Sequence, residues 1–351
     1  MAGYDIPIVA SIIPVLNEQN SIIKCLQSLC DQTISDSSHI IYVLDGGSED
    51  STWDIVESFI ESRGNKNPKI ILEQNPGKYV AQARNMALKL VPESVEFLLE
   101  VIGHSTLAEN HIEVLLEEFT RLKSTEKTCI GALGVKVEGQ EGDLGLVESW
   151  IESAFLSPLG RGNGQFSNFT GTIKTSVPAF CLHSRKALDE IGGWDTFYIT
   201  SQDSDLSMRM LDAGFSLYKT DLVTVSMSKR SSLKSWAKMG FRYGFWRTKI
   251  IKKHPKRISG RELLPWFGFI LTLSLLLSKS QYWFIPPIAY SIVLIFEAFR
   301  IAFFHRKPSV IIGLPLAILI LHVTFSLGLM YGIAGKVRSF NDREAFSDNI
   351  Q

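Results

Sequence analysis

Acidic side chains stand at three places where an apolar run stops. Asp45 closes "HIIYVLD" and is followed by two glycines and then Ser48, Asp50 and Thr52. Glycines let the backbone turn tightly beside a ligand, and a carboxylate there can accept hydrogen bonds from a base or a ribose. An Asx turn or a helix cap uses the same residue, so the position alone leaves both readings open. In "TSQDSDLSMRMLDAGF", Asp203 and Asp205 precede helically spaced Leu206, Met210 and Leu211. A helix starting near Asp205 would take that carboxylate as its cap and leave Asp203 facing the cleft, where it could remove a proton from a hydroxyl. In "LLEVIGH", Glu100, Ile102 and His104 alternate, and a strand that stays regular puts all three on one face. Glu100 and His104 could then approach a cation that Ile102 cannot ligate, although magnesium and manganese prefer oxygen to imidazole.

The elements that must position these residues follow from periodicity. "IPIVASIIPVL" reads as a buried strand that stops at Asn17-Glu18, and helical spacing follows from Ser21 through Ile22, Ile23, Leu26 and Leu29. "HIIYVLDGG" is a second strand, and a helix then starts at Ser48 to Ser51 and stops at Gly64. "PKIILEQNPGK" gives a third strand and loop, "YVAQARNMALKLV" a third helix, and "VEFLLEVIGH" a fourth strand. Strands alternating with helices at close intervals make a parallel sheet covered on both faces. Ligands of such sheets sit at the carboxyl ends of the strands, which singles out Asn17, Glu18, Asp45, Asn75, Lys78 and His104. Further on, "GRGNGQF" is a glycine-rich loop, and Lys186 to Ile191 forms a short helix ended by Gly192-Gly193.

Hydropathy is uneven along the 351 residues, of which 45% are hydrophobic. Up to about Ser228 the chain reads as soluble, whereas Leu263 to Leu277, Tyr282 to Phe303 and Val310 to Ile333 are long apolar runs. The second and third are long enough for helical spans and the first is extendable. Net charge is zero, yet Lys229 to Arg261 is rich in Lys and Arg and holds no acid. Beside apolar spans, such a block suits the anionic cytoplasmic leaflet better than nucleic acid, with a solvated charged face as the plain alternative. Ser232 to Ile251 interleaves aromatic and basic residues, as a helix lying on the membrane does; a helix packed on a protein partner is the other reading. Glu297 is an acid within a span, beside Arg300. Asp5 and the lack of a basic leader argue against a signal peptide, and the four cysteines show no metal-ligand spacing.

Five stretches, "ASIIPVLNE", "VLDGGSEDST", "NPGKYVAQARNMAL", "LHSRKALDEIGGWD" and "QDSDLSMRMLDAG", occur in the order and spacing of glycosyltransferase family 2. The resemblance runs from about Val9 to Arg247 and extends to the membrane-anchored, ExoA-like succinoglycan-biosynthesis branch. It implies an α/β fold, a GT-A nucleotide-sugar-binding, Rossmann-like domain followed by C-terminal transmembrane helices. The expected division is 1–228 for the transferase domain, 229–261 for a basic membrane-interface segment, 262–335 for two to three spans and 336–351 for a polar tail. Carried over by motif, the catalytic base falls on Asp203, and the donor contacts fall on Asn17, Glu18, Asp45, Lys78 and Arg84. The acceptor side falls on Gly162, Asn163, Trp194 and Asp205. The family's Asp-x-Asp metal motif falls on Ile102-Gly103-His104, where the branch has Asp-Gly-His, so His104 and Glu100 are left as ligands for a magnesium or manganese ion.

These assignments lead to an inverting, non-processive glycosyltransferase in the cell membrane, multi-pass, with its catalytic domain on the cytoplasmic side. Non-processivity rests on the missing Gln-x-x-Arg-Trp element, which "FRYGFWR" matches only in part. The partners are a nucleotide-sugar donor, a polyprenyl-linked saccharide acceptor and membrane lipid, with no nucleic acid. Two alternatives are a polyprenyl-phosphate sugar synthase and a catalytically silent membrane scaffold.

Overall fold

Apolar runs near the N-terminus become parallel strands in the computed structural model, which describes residues 6–139, 144–161, 169–227, 232–335 and 337. These strands are β1 (Val9–Val15), β2 (His39–Asp45), β3 (Lys69–Gln74) and β4 (Phe97–Glu100), in the order β3-β2-β1-β4. Helices α1 (Ile22–Cys30), α2 (Thr52–Arg63) and α3 (Val80–Leu90) connect or flank them. Register aligns Val15 with Asp45 and Ile12 with Glu100, so the chain leaves β1 and β2 at the same level. Every residue of β2 is buried, as expected of a parallel strand covered on both faces. Ala81, Ala83 and Ala87 of α3 pack into the core with Ile12, Tyr42, Leu44 and Leu98, small residues that let the helix lie close to the sheet.

The other half of the sheet is mixed, which strand and helix alternation does not foretell. It comprises β5 (Ser105–Leu107), β6 (Ile130–Gly139), β7 (Ile173–Lys174), β8 (Leu182–Ser184) and β9 (Ser216–Met227). β8 runs antiparallel between β4 and β6, β9 runs parallel to β6, and β5 and β7 pair antiparallel with β9. Three helices complete this region: α4 (His111–Thr125), α7 (Arg185–Ile191) and α8 (Gln202–Asp212). α7 ends at Gly192, φ 75°, where the left-handed cap needs a glycine.

By contacts the chain forms two compact units, Met1–Gln140 with Asn168–Ser228, and Glu141–Ser167 with Lys229–Gln351. The transferase segment expected over 1–228 is therefore interrupted. Helices α5 (Leu146–Leu156) and α6 (Pro158–Arg161) join the C-terminal helices α9 (Leu233–Lys253), α10 (Gly260–Leu277), α11 (Ile285–His305) and α12 (Val310–Ala334). The last three are long and apolar enough to cross a membrane. Within this unit Glu297 is buried, accepts from Arg300 at 2.6 and 2.7 Å and from Ser157 Oγ at 2.8 Å, and so is a paired acid.

α9 departs from the lipid-facing helix of the sequence reading. Trp236, Phe245 and Trp246 are buried, and Trp236 Nε1 donates to the Ala317 carbonyl at 2.8 Å. A Cβ on Gly244 would collide with the Phe325 carbonyl, and one on Gly328 with the Phe241 carbonyl, so α9 and α12 touch backbone to backbone. The aromatic residues fill the flanks of that contact.

Candidate active site

Two loops leave the carboxyl ends of β1 and β2 and hydrogen-bond to each other. The Asn17 amide donates to Ser48 Oγ at 2.9 Å, the Glu49 amide to Asn17 Oδ1 at 2.9 Å, and the Glu18 amide to Thr52 Oγ1 at 2.7 Å. Asn17 holds left-handed backbone, φ 57°, which asparagine tolerates better than most residues. Asp45 Oδ2 accepts from the Gly47 and Ser48 amides at 3.1 and 3.0 Å, and Oδ1 from Ser48 Oγ at 2.5 Å. Three of roughly four acceptor positions on this carboxylate are thus taken, and the side chain is buried. Asp45 makes the Asx turn and shapes the loop. A Cβ on Gly46 would strike the Lys78 carbonyl, so this glycine lets the Asn75–Tyr79 turn close over the Asp45 loop. Lys78 itself sits at φ 63° on that turn.

Beside these loops, one guanidinium is shared by two acids. Arg84 of α3 lies 3.0 Å from Glu100 Oε1 at the end of β4 and 2.5 Å from Asp203 Oδ1 in the first turn of α8. His183 Nε2 of β8 is also 3.0 Å from Glu100 Oε1. Behind Arg84 stands Trp194, its ring 5.6 Å from the guanidinium and edge-on to His183. Burial alone would raise Glu100, but Arg84 and then His183 outweigh it and hold the carboxyl down at about 2. Asp203 moves the other way. Enclosure of its inner side, opposed by Arg84 and reinforced by the charge on Glu100, lifts it above the usual carboxylate range. Its side chain nevertheless keeps 40% of its surface accessible, whereas those of Arg84 and Glu100 keep 5% and 6%. Asp203 is accordingly the open, more basic member of the cluster.

β4 ends at Glu100, and a turn follows in which the Ser105 amide donates to the Ile102 carbonyl at 3.0 Å. The alternation expected for Glu100, Ile102 and His104 therefore fails. Glu100 goes to Arg84, while His104 Nδ1 is 2.6 Å from Glu18 Oε1, whose other oxygen accepts from Ser21 Oγ at 2.7 Å. Glu18 reaches His104 across Gly103, where a Cβ would press on Glu18 and Val15 at 3.1 and 3.2 Å. Glu100, Cys181 and His183 do offer ligand atoms within 4.8 Å of one another. That trio does not fit magnesium or manganese: a guanidinium already neutralises the carboxylate, and burial pushes the Cys181 thiol well up, so it stays protonated. Glu18 and His104, paired with each other at 2.6 Å, keep 19% and 28% of their side-chain surface accessible and so could present one oxygen and one nitrogen to such an ion.

The description "Glycosyl transferase family 2" matches residues 11–192, just over half of the chain. The chain belongs to glycosyltransferase family 2. It is similar to the dolichyl N-acetyl-alpha-D-glucosaminyl phosphate 3-beta-D-2,3-diacetamido-2,3-dideoxy-beta-D-glucuronosyltransferase of Methanococcus voltae, 25% identical over 93% of this chain and 97% of that one. Succinoglycan biosynthesis protein ExoA of Rhizobium meliloti (strain 1021) is 25% identical over 72% of this chain and 73% of that one. Among solved structures, S. aureus TarS 1-349 covers 94% of this chain and 93% of its own at 13% identity, with a TM-score of 0.47. This family 2 chain is a nucleotide-sugar glycosyltransferase with a GT-A-like α/β domain.

Several positions expected in the family 2 site lie elsewhere. Arg84 is committed to two carboxylates and buried, so it orients Asp203 and is not free for a diphosphate. Trp194 is 3% exposed, with its backbone clamped by Asn85 at 2.7 and 2.8 Å, so it supports Arg84 and does not face an acceptor. α8 begins at Gln202, and neither acid caps it. Asp205 is buried against Arg209 Nε at 2.8 Å, and Arg209 also donates to the Ile191 and Gly193 carbonyls at 2.8 and 2.7 Å. Gly162 and Asn163 lie outside the described residues. His183 and Ser21 escaped the sequence reading. Spacing could not have found His183, because β8 is three residues long and its partner Glu100 is 83 positions away (183 − 100).

Proposed function

We propose that this chain transfers a sugar from a nucleotide-sugar donor to a polyprenyl-linked saccharide, with inversion and one sugar per encounter. The observation that carries this reading is the Arg84–Asp203 pair: a carboxylate that is raised, accessible and held in one direction by a buried guanidinium. Asp203 takes the proton of the acceptor hydroxyl while that oxygen forms its bond to the anomeric carbon. The bond from that carbon to the diphosphate oxygen breaks, and its electron pair leaves with the nucleoside diphosphate. One in-line displacement inverts the anomeric centre. Arg84 fixes the Asp203 rotamer, and the charge on Glu100 keeps Asp203 basic despite that contact. Asp45 and Asn17 hold the paired loops against which the donor nucleotide lies, with Lys78 on the neighbouring turn. A divalent cation, when bound, would be held by Glu18 and His104 and would offset the charge developing on the diphosphate.

The acceptor class is supported by the Methanococcus voltae relative, whose name specifies a dolichyl-phosphate-linked sugar. Three apolar helices and the basic segment before them support a multi-pass membrane protein with its transferase unit on the cytoplasmic side.

Asp203→Asn tests the assignment of the base. Transfer to a lipid-linked saccharide falls by about 10²- to 10⁴-fold, while nucleotide binding, followed by thermal shift, is unchanged. Retention of most activity would point to a phosphate acceptor, which needs no strong base. If the wild-type protein neither bound nor hydrolysed any nucleotide-sugar, the silent scaffold would replace this reading.

A further inference from the structure

A second cluster of buried charge lies in the helical unit, where α9 gives way to α10. Arg247 of α9 and Arg257 of the turn that follows both face Glu262, in the first turn of α10, at 3.0 and 3.4 Å. Their side chains are only 12%, 17% and 24% accessible in that order. Among the described residues, two guanidinium groups thus share one carboxylate, leaving one positive charge in excess in an enclosed place. The donors are also in excess. Arg247 Nη1 and Arg257 Nε are buried with no hydrogen-bond acceptor among the described residues, and Arg247 Nε meets Glu262 as an ion pair without hydrogen-bond alignment.

Buried guanidinium donors without acceptors are costly, and a tetrahedral oxyanion satisfies several at once. Below this cluster, α10 turns exposed Leu264, Phe267, Leu271 and Leu277 outward, as a helix meeting hydrocarbon does. An anion at the head of such a helix sits at the depth of lipid phosphates.

We propose that Arg247 and Arg257 form a binding site for the phosphate head of a membrane lipid, with Glu262 as the internal anion that lipid phosphate partly displaces. Only the identity of the lipid rests on the functional reading above: with a lipid-linked acceptor, the occupant is polyprenyl phosphate or its glycosylated form. The same donors would accept an anionic phospholipid, and the test separates the two.

Full-length protein in phosphatidylcholine nanodiscs, doped with equal mole fractions of polyprenyl monophosphate and phosphatidylglycerol, is released and its retained lipids are counted by native mass spectrometry. The wild-type chain retains phosphate-headed anionic lipid over phosphatidylcholine. Arg247→Gln and Arg257→Gln each lower that retention at least tenfold with nucleotide-induced thermal shift unchanged, Arg247→Lys restores part of it, and Glu262→Gln raises it several-fold. Preference for polyprenyl monophosphate supports the acceptor lipid as occupant; preference for phosphatidylglycerol keeps the site and overturns that occupant. Displacement by millimolar inorganic phosphate would make the free ion the ligand and overturn a lipid site. Wild-type retention in both glutamine variants would overturn the proposal outright, and unchanged retention in Glu262→Gln would do so even if Arg247→Gln failed to fold. A chain that retains the lipid but transfers no sugar sinks the functional reading alone.

Discussion

The two units of this chain solve opposite electrostatic problems with the same side chain. In the sheet unit, two carboxylates, Glu100 and Asp203, share the one guanidinium of Arg84, with the His183 ring beside Glu100. In the helical unit, Arg247 and Arg257 share Glu262, so base is in excess. A buried cluster with surplus acid can hold a proton at one of its carboxylates, and one with surplus guanidinium can hold an anion. The imbalance, more than the presence of an ion pair, separates a place that does chemistry from one that only holds the fold.

Removing the shared arginine should have the largest effect. Arg84→Met leaves Glu100 and Asp203 facing each other with one cation lost, which costs about 3–5 kcal/mol at neutral pH. In that variant the carboxyls are raised in the folded state, so stability recovers as pH falls and they protonate. Thermal unfolding from pH 7 to 4 checks this, and a melting temperature equal to wild type at pH 7 would mean that Arg84 does not compensate the acids.

Glu100→Gln keeps the shape and removes one negative charge. Asp203 then faces Arg84, and beyond it His183, without the opposing charge of Glu100, so its pKa falls. The acidic limb of the kcat/KM profile moves to lower pH, and the plateau drops by roughly tenfold, as expected for a weaker general base. The two acids also carry opposite linkage. Glu100, held at about 2 against an ordinary 4.5, contributes stability above about pH 4.5 that is lost as pH falls toward 2. Asp203, raised in the folded state, contributes below its unfolded pKa and loses that contribution as pH rises. An unshifted acidic limb in Glu100→Gln would show that Glu100 does not set Asp203.

A third change acts where the cation would sit. Ile102→Asp places a carboxylate in the turn that carries His104, and manganese binding, followed by thermal shift against EDTA, tightens by roughly tenfold as an oxygen ligand is added. No change would mean that the Ile102 turn does not reach the ion.

Much of the sheet unit was legible because its elements are local. Continuous apolar runs marked β1 to β4, helical spacing marked α1 to α3, and Gly64 and Gly192 marked two helix ends. Short β8 carries no period of its own, so its antiparallel place between β4 and β6 was not legible. Asp203, Asp45 and Asn17 stand at element ends in the structure, as the apolar runs of the sequence place them. Glu100 was misread because strand alternation was extended past the last residue of β4. Its true partners, Arg84 and His183, come from a helix and another strand, a relation that no spacing reports. On α9, the mixture of aromatic and basic residues fits a lipid surface or a helix contact equally well. Gly240 and Gly244, four apart, were the deciding signal, because small residues at that spacing let a second helix approach.

A third arginine cluster provides the balanced case. Asp205 is fully buried and pairs with Arg209, which also holds the carbonyls of Ile191 and Gly193 and so ties α8 to the Gly192-Gly193 turn. Within this pair one acid meets one base, in contrast to the two clusters above. In Asp205→Asn the amide keeps the shape, and the guanidinium, 23% accessible, keeps its two carbonyls. The cost should be about 1–2 kcal/mol, less than for Arg84→Met because no buried charge is left alone. The pH profile of transfer should not move, since Asp203 and its partners are untouched. One residue separates Asp203 from Asp205, and a variant of the second that shifted the acidic limb would mean that charge balance does not distinguish them.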